Sequence, residues 1–287
     1  MKFSLLDGPL GTQLAARGVP TPLPAWSADA LLHAPREVLA VHRDYAAAGA
    51  QIHTANTFRT RAAQFGERWE ELARLALRLA REGAGSGGRV AGSVAPLQDC
   101  YRPDSSPAEQ RPGETRGEHA RLARVLADEG CDLLLCESFP HVGEGWLAVE
   151  AAVSTGVETW CSFTPGWDAS LLDASEVGAA ARGAVERGAA AVLVNCLPIA
   201  RGLEFVEALA GALAGSGVAY GCYANAGVPD ERIGWAPSAV AVEEHTAAAA
   251  SWLAAGATLV GGCCGTGPEH IAALRELIDR REETGRA

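Results

Sequence analysis

Along this chain, apolar runs of about four to eight residues alternate with longer stretches in which apolar positions recur at helical spacing among Ala, Arg and Glu. The short runs predict strands near Phe3–Leu6, Gln51–Ala55, Arg89–Ser93, Asp132–Cys136, Glu158–Phe163, Ala190–Asn195, Ala219–Tyr223 and Thr258–Gly261. The longer stretches predict helices over Arg36–Ala48, Arg61–Glu82, Glu114–Glu129, Glu144–Thr155, Ser175–Arg187, Leu203–Ala214, Ser238–Ala254 and Pro268–Arg281. Gly49, Gly83, Gly130 and Gly188 stand at helix ends, where a left-handed C-cap favours glycine.

Strand and helix alternate eight times without a linker or a shift in composition. This predicts a single-domain (β/α)8 TIM barrel over residues 1–287, a usual length for that architecture, with a frayed, charged tail at 282–287. A doubly wound open sheet is the competing arrangement, but it normally opens on a GxGxxG turn. Here the first turn reads Asp7-Gly8-Pro9-Leu10-Gly11-Thr12. One connection is unusually long. Residues 97–112 follow the third strand and carry Pro103, Pro107 and Pro112; a loop of that length is either a functional lid or a disordered insertion.

Charge and composition remove whole classes of function. The 35 acidic residues against 24 basic give a net charge of −11, and no basic cluster offsets it. That argues against nucleic acid or an anionic membrane as partner. The N-terminal apolar run is too short for a signal peptide and no 18-residue apolar stretch exists, so a cytoplasmic enzyme is expected. Lys2 is the only lysine, which excludes Schiff-base and P-loop chemistry, both of which need one in the site. The eight cysteines are expected to be reduced thiols. Cys131, Cys161 and Cys222 sit among apolar neighbours and read as core. A homo-oligomer stays open.

Barrel active sites lie just past the C-terminal ends of the strands. Cys196 ends AVLVNC, just after the sixth strand, and Cys263 and Cys264 end LVGGCC, just after the eighth. Both strands are even-numbered, so their inward positions share layers. Adjacent cysteines in a straight strand would point to opposite faces, but the glycines around this pair permit a turn. Three thiolates suit Zn²⁺ at about 2.3 Å and leave the fourth position for substrate. The competing account is a set of buried thiols in a Gly-rich turn, and spacing alone leaves both open.

The C-terminal GGCCGTGPEHI resembles the homocysteine S-methyltransferase family, and VNC stands at the corresponding strand. LDGPLGTQL, ANTFRT, CES and CYANAG match in the same order, so the resemblance spans the whole chain. It implies a barrel in which zinc, held by Cys196, Cys263 and Cys264, binds the homocysteine sulfur and presents it to a methyl donor, giving methionine. It further implies that Glu137 holds the substrate amino group. Asp7, Gly8, Gly11 and Thr12 would bind the carboxylate or shape its pocket, and Asn225 would be an oxygen ligand to the metal. Asn56 is a further substrate contact or a turn former. Pro9 has no backbone N–H, so amide donors in the first turn come from neighbours such as Leu10 or Gly11. His53 is expected to be a satisfied core residue, and His245 and His270 structural or solvated on helices.

Folate- and cobalamin-using relatives carry further domains, so a short barrel resembles the members that use S-methylmethionine or S-adenosylmethionine. The CCGT sequence, however, resembles the multidomain methionine synthases. The alternative is a methyltransferase subunit served by a corrinoid, folate or other methyl-carrying partner protein. Tyr101 and Arg102 in the long loop are candidates for a lid or a donor contact.

Overall fold

The computed structural model describes residues 3–226, 228–230, 234–236 and 242–284. Its strands are β1 (Ser4–Leu5), β2 (Ile52–Thr54), β3 (Arg89–Val94), β4 (Leu133–Phe139), β5 (Thr159–Phe163), β6 (Ala191–Pro198), β7 (Ala219–Asn225), β8 (Val228–Asp230), β9 (Gly234–Ala236) and β10 (Leu259–Gly262). Eight of them form one parallel sheet in the order β1-β10-β7-β6-β5-β4-β3-β2, and a parallel bridge from Leu6 to Ile52 joins its two ends. The result is the closed (β/α)8 barrel expected from the alternation, with every predicted strand present.

The differences have local causes. The antiparallel pair β8–β9 is not among the expected strands, being too short to show a strand period. The expected helix 61–82 is broken at Gly66 into Ala62–Phe65, a 3-10 turn and Trp69–Ala84. A seven-residue helix, Leu10–Ala16, follows the first turn directly. The helix expected from Ser238 is described from Val242, and residues 238–241 lie outside the described residues. The last helix continues to Thr284, so 282–284 are helical rather than frayed, and 285–287 lie outside the described residues.

Strand alternation sorts the side chains into two layers. Leu133 and Leu135 of β4, Ala191 and Leu193 of β6 and Leu259 of β10 fill the barrel interior around Trp160. The intervening positions Cys136, Cys161 and Cys222 face the helices, where Cys131 also lies, so all four are core thiols. The helix Trp69–Ala84 covers this outer layer with Trp69, Leu72, Ala73, Ala76, Leu77 and Ala80, one apolar stripe at three- and four-residue spacing. Among the described residues no helix is long and apolar enough to cross a membrane.

The long loop after β3 is ordered and tethered to the barrel. It contains a 3-10 turn at Pro103–Ser105. Glu144, buried at the start of the helix Val142–Val153, accepts hydrogen bonds from the Leu97 amide at 2.7 Å and the Ser106 hydroxyl at 2.5 Å, and lies 3.3 Å from His119 Nε2. Burial alone would raise its carboxyl, but the His119, Leu97 and Ser106 contacts hold it below its ordinary value. Glu144→Ala strands these buried donors and is expected to cost about 1–3 kcal/mol for each one left unpaired. Urea unfolding measures the loss, and the Leu97 amide should exchange faster with solvent. Unchanged protection at Leu97 would show that the tether lies elsewhere.

Candidate active site

The interior positions of β6 are Ala191, Leu193 and Asn195, so regular alternation would send Cys196 outward to the helices. The strand does not end before it, as the sequence suggested; it runs to Pro198 through a break in register between Asn195 and Pro198. Cys196 sits in that bulge with φ +55°, and its thiol is turned into the barrel. Ser138, beside it on β4, is turned inward by the same means, with φ +62°. Such backbone costs on the order of 1–3 kcal/mol for a residue with a side chain and persists only where its surroundings fix it. Here Ser162 donates to Asn195 Oδ1 and Asn195 Nδ2 donates to Ser138 Oγ, each at 2.7 Å, locking three strand ends together.

From the other side, β10 ends at Gly262 and the chain turns through Gly265, whose φ of +82° favours glycine. The Cys263 amide donates to the Ala224 carbonyl at 3.0 Å, fixing the turn against β7. The consequence is convergence. Cys196 and Cys263 Sγ are 2.9 Å apart, and the sulfurs of Cys196, Cys263 and Cys264 all lie within 4.8 Å of one another. All three residues are buried. Hydrogen bonds from Cys196 and Cys264 drive the Cys263 thiol down, and the same contacts drive those two well up. Three soft donors in a pocket that penalises added negative charge fit a divalent, thiophilic ion such as Zn²⁺.

These sulfurs face a cavity of about 710 Å³ whose buried end also holds Asp7 and Glu137. Glu137 continues the inward row of β4, accepts from the Ser93 hydroxyl at 2.5 Å and the Tyr223 hydroxyl at 3.2 Å, and burial pushes its carboxyl up to about 7. Asp7 accepts from the Thr54 amide at 2.8 Å and hydroxyl at 3.0 Å, yet burial still raises it well above the carboxylate range. Two desolvated carboxyls with no cation beside them among the described residues are chemically suited to an ammonium group. Tyr223 is a residue the sequence analysis passed over. It is two positions before Asn225 on the inward row of β7, a signal that strand alternation contains.

The other expected contacts divide. Gly8 and Gly11 line the cavity through space they leave empty: a Cβ on Gly8 would fall 2.5 Å from the Tyr45 hydroxyl, and one on Gly11 2.2 Å from the Trp26 ring. Gly11→Ala is thus expected to displace Trp26 and cost about 1–3 kcal/mol, the usual range for overpacking, read from a urea midpoint. Thr12 is not on the cavity wall; its hydroxyl accepts from the Gly265 amide at 3.3 Å and braces the cysteine turn. Asn56 lines the cavity, but both its amide atoms are bonded to Ser27, so it holds the 21–27 segment in place. Asn225 is buried at the end of β7 with neither amide atom partnered among the described residues.

His53 is not a satisfied core residue. Among the described residues, it and His42 are buried with no well-formed hydrogen bond at any ring nitrogen, and burial pushes them down to about 4 and about 3. Both rings lie within 4.8 Å of the Asp7 carboxylate as neutral groups. His270 is structural as expected, its Nδ1 accepting from the Gly267 amide at 3.2 Å. In the long loop, Tyr101 packs on the cysteine cluster, whereas Arg102 points to solvent and pairs with Asp104.

A parallel barrel thus gathers three thiols and two desolvated carboxyls at its C-terminal rim, the face on which barrel enzymes carry their active sites. The chain belongs to the homocysteine S-methyltransferase family, whose profile, described as Homocysteine S-methyltransferase, matches residues 4–278. It is 31% identical to the homocysteine S-methyltransferase of Escherichia coli K12, over 94% of each chain. It is 27% identical to the selenocysteine methyltransferase of Astragalus bisulcatus, over 96% of this chain and 93% of that one. The metallated crystal form of the E. coli homocysteine methyltransferase MmuM superposes with a TM-score of 0.79 at 26% identity, covering 96% of both chains.

Proposed function

We propose that this protein is a zinc-dependent enzyme that transfers a methyl group from a small sulfonium donor, S-methylmethionine or S-adenosylmethionine, to the thiol of L-homocysteine, giving methionine. The observation that carries this reading is the convergence of Cys196, Cys263 and Cys264 on one wall of the cavity that holds Asp7 and Glu137. Zn²⁺ bound by the three cysteines would supply Lewis acidity that favours the thiolate form of an incoming thiol at neutral pH.

The chain's own residues supply the rest. Glu137 and Asp7 take the substrate ammonium, and Glu137 gives up its proton as that charge arrives. Ser93, Tyr223 and Thr54 hold the two carboxyls in fixed directions, which sets the distance from the ammonium to the sulfur. Leu10 and Gly11, at the start of the helix Leu10–Ala16, supply the amides nearest the substrate carboxylate. Tyr101 and the tethered lid cover the sulfurs and exclude water. With a sulfonium donor the leaving thioether departs neutral, so the transfer needs no general acid. The unpartnered Asn225 amide, beside the cysteine turn, is the candidate fourth ligand before substrate arrives.

The test is metal content followed by methionine formation from homocysteine with each donor in turn. About one zinc per chain and turnover with a sulfonium support the reading. Full activity with all three cysteines replaced overturns it, and turnover only after addition of a methyl-carrying protein would assign the subunit role instead.

A further inference from the structure

The cavity is chemically two-ended. Its buried end carries the thiols, Asp7 and Glu137, whereas its mouth is formed by more exposed residues that include Trp26, Phe58, Arg59 and the lid residues Gln98 and Asp99. The mouth is built to stay in place. Trp26 occupies the space left by Gly11 and meets Phe58 edge to face, with ring centroids 6.1 Å apart. Arg59 lies over the Phe58 ring, its Cζ 5.2 Å from the centroid, and one of its nitrogens donates to the Gln98 carbonyl at 2.8 Å. It is the one cationic side chain among the described residues of the cavity wall, and no described carboxylate pairs with it.

A guanidinium on a half-buried side chain that is fixed in direction and lacks an anionic partner among the described residues calls for an anion, and a carboxylate matches its forked geometry. The ammonium-binding groups are at the opposite end, so the two ends suit two different amino acids. Resting on the methyl-transfer reading above, we propose that Arg59 selects the methyl donor by pairing with its carboxylate, while the Trp26–Phe58 wall receives the sulfonium. Aromatic faces attract an onium charge that forms no hydrogen bonds. The donor class is then a sulfonium that carries its own α-carboxylate.

Calorimetric binding to the metal-loaded protein tests this without turnover. The probes are S-methyl-L-methionine, the dimethyl(3-aminopropyl)sulfonium that lacks the carboxylate, and L-homocysteine. Arg59→Gln is expected to weaken S-methylmethionine by about tenfold or more, the size of one charge-assisted hydrogen bond, and to leave the other two probes within about twofold. Arg59→Lys should recover part of the loss. Equal weakening of both sulfoniums, weakening of homocysteine alone, or no binding of S-methylmethionine to the unaltered protein would overturn the assignment. Because binding is read directly, the two readings fail separately. Arg59-dependent binding without methionine formation overturns methyl transfer and leaves the subsite. Methionine formation with unchanged donor affinity in Arg59→Gln does the reverse.

Discussion

Cys264→Ser is expected to strip the metal from the protein and to reduce methyl transfer by well over a hundredfold. Changes to residues that merely support metal ligands cost about 10–100-fold in affinity or activity, so loss of one ligand in three exceeds that range. Serine keeps the shape of the turn at Gly265 but offers a hydroxyl that stays protonated where the cluster needs a thiolate. The matched control is Cys136→Ala. Cys136 is equally buried but faces the helices, so its loss should cost some packing and leave metal content near that of the unaltered chain. Metal analysis of the purified variants separates the two sites. Equal metal in Cys264→Ser and in the unaltered protein would remove the thiol cluster from the mechanism.

Glu137→Gln is expected to produce the second large effect, in homocysteine binding and in its pH dependence. Losing a buried charge partner costs about 2–5 kcal/mol, which corresponds to a rise in homocysteine KM of thirtyfold or more. Glu137 titrates at about 7 in the ligand-free protein against an ordinary 4.5, chiefly because burial penalises its charge. Below pH 7 it must shed a proton to receive the ammonium, so affinity should rise with pH and level off above 7. The variant should lose that slope. The same shift sets a stability signature of opposite direction. Between 4.5 and 7 the folded chain keeps a proton that the unfolded chain has lost, so stability falls as pH rises through this window. Glu137→Gln should flatten that decline and make the ligand-free protein more stable at pH 8, with a ceiling of about 3 kcal/mol. Thermal melts at pH 5 and pH 8 measure it; a steeper decline in the variant would contradict the assigned burial of the charge.

The barrel was legible because its strands are buried on both faces and its helices on one, so each element wrote its own period into the chain. Leu133, Leu135 and Glu137 share a face by alternation alone, and placing Glu137 at the rim required no structure. The cysteines were legible as residues, being the thiols at two strand ends. Alternation would nevertheless have pointed Cys196 the wrong way. A bulge depends on how β6 pairs with β7 and on the hydrogen bonds of Ser162, Asn195 and Ser138, which come from three strands. Nothing within AVLVNCLP records them.

The same boundary separates the other residues. That Gly11 is small is written in the sequence; that Trp26 fills its space is a contact between the first turn and a later segment. Thr12 and Asn56 carry polar groups that any reading would offer to a substrate, and tertiary packing gave them to Gly265 and Ser27 instead. Arg59 was one of many arginines until the barrel set it at the mouth of the cavity without a carboxylate partner among the described residues. Element type and facing follow from local periodicity, which a chain encodes within a few residues. The destination of a polar side chain depends on which distant groups fold against it, and for this protein that was decided only when the barrel closed between Leu6 and Ile52.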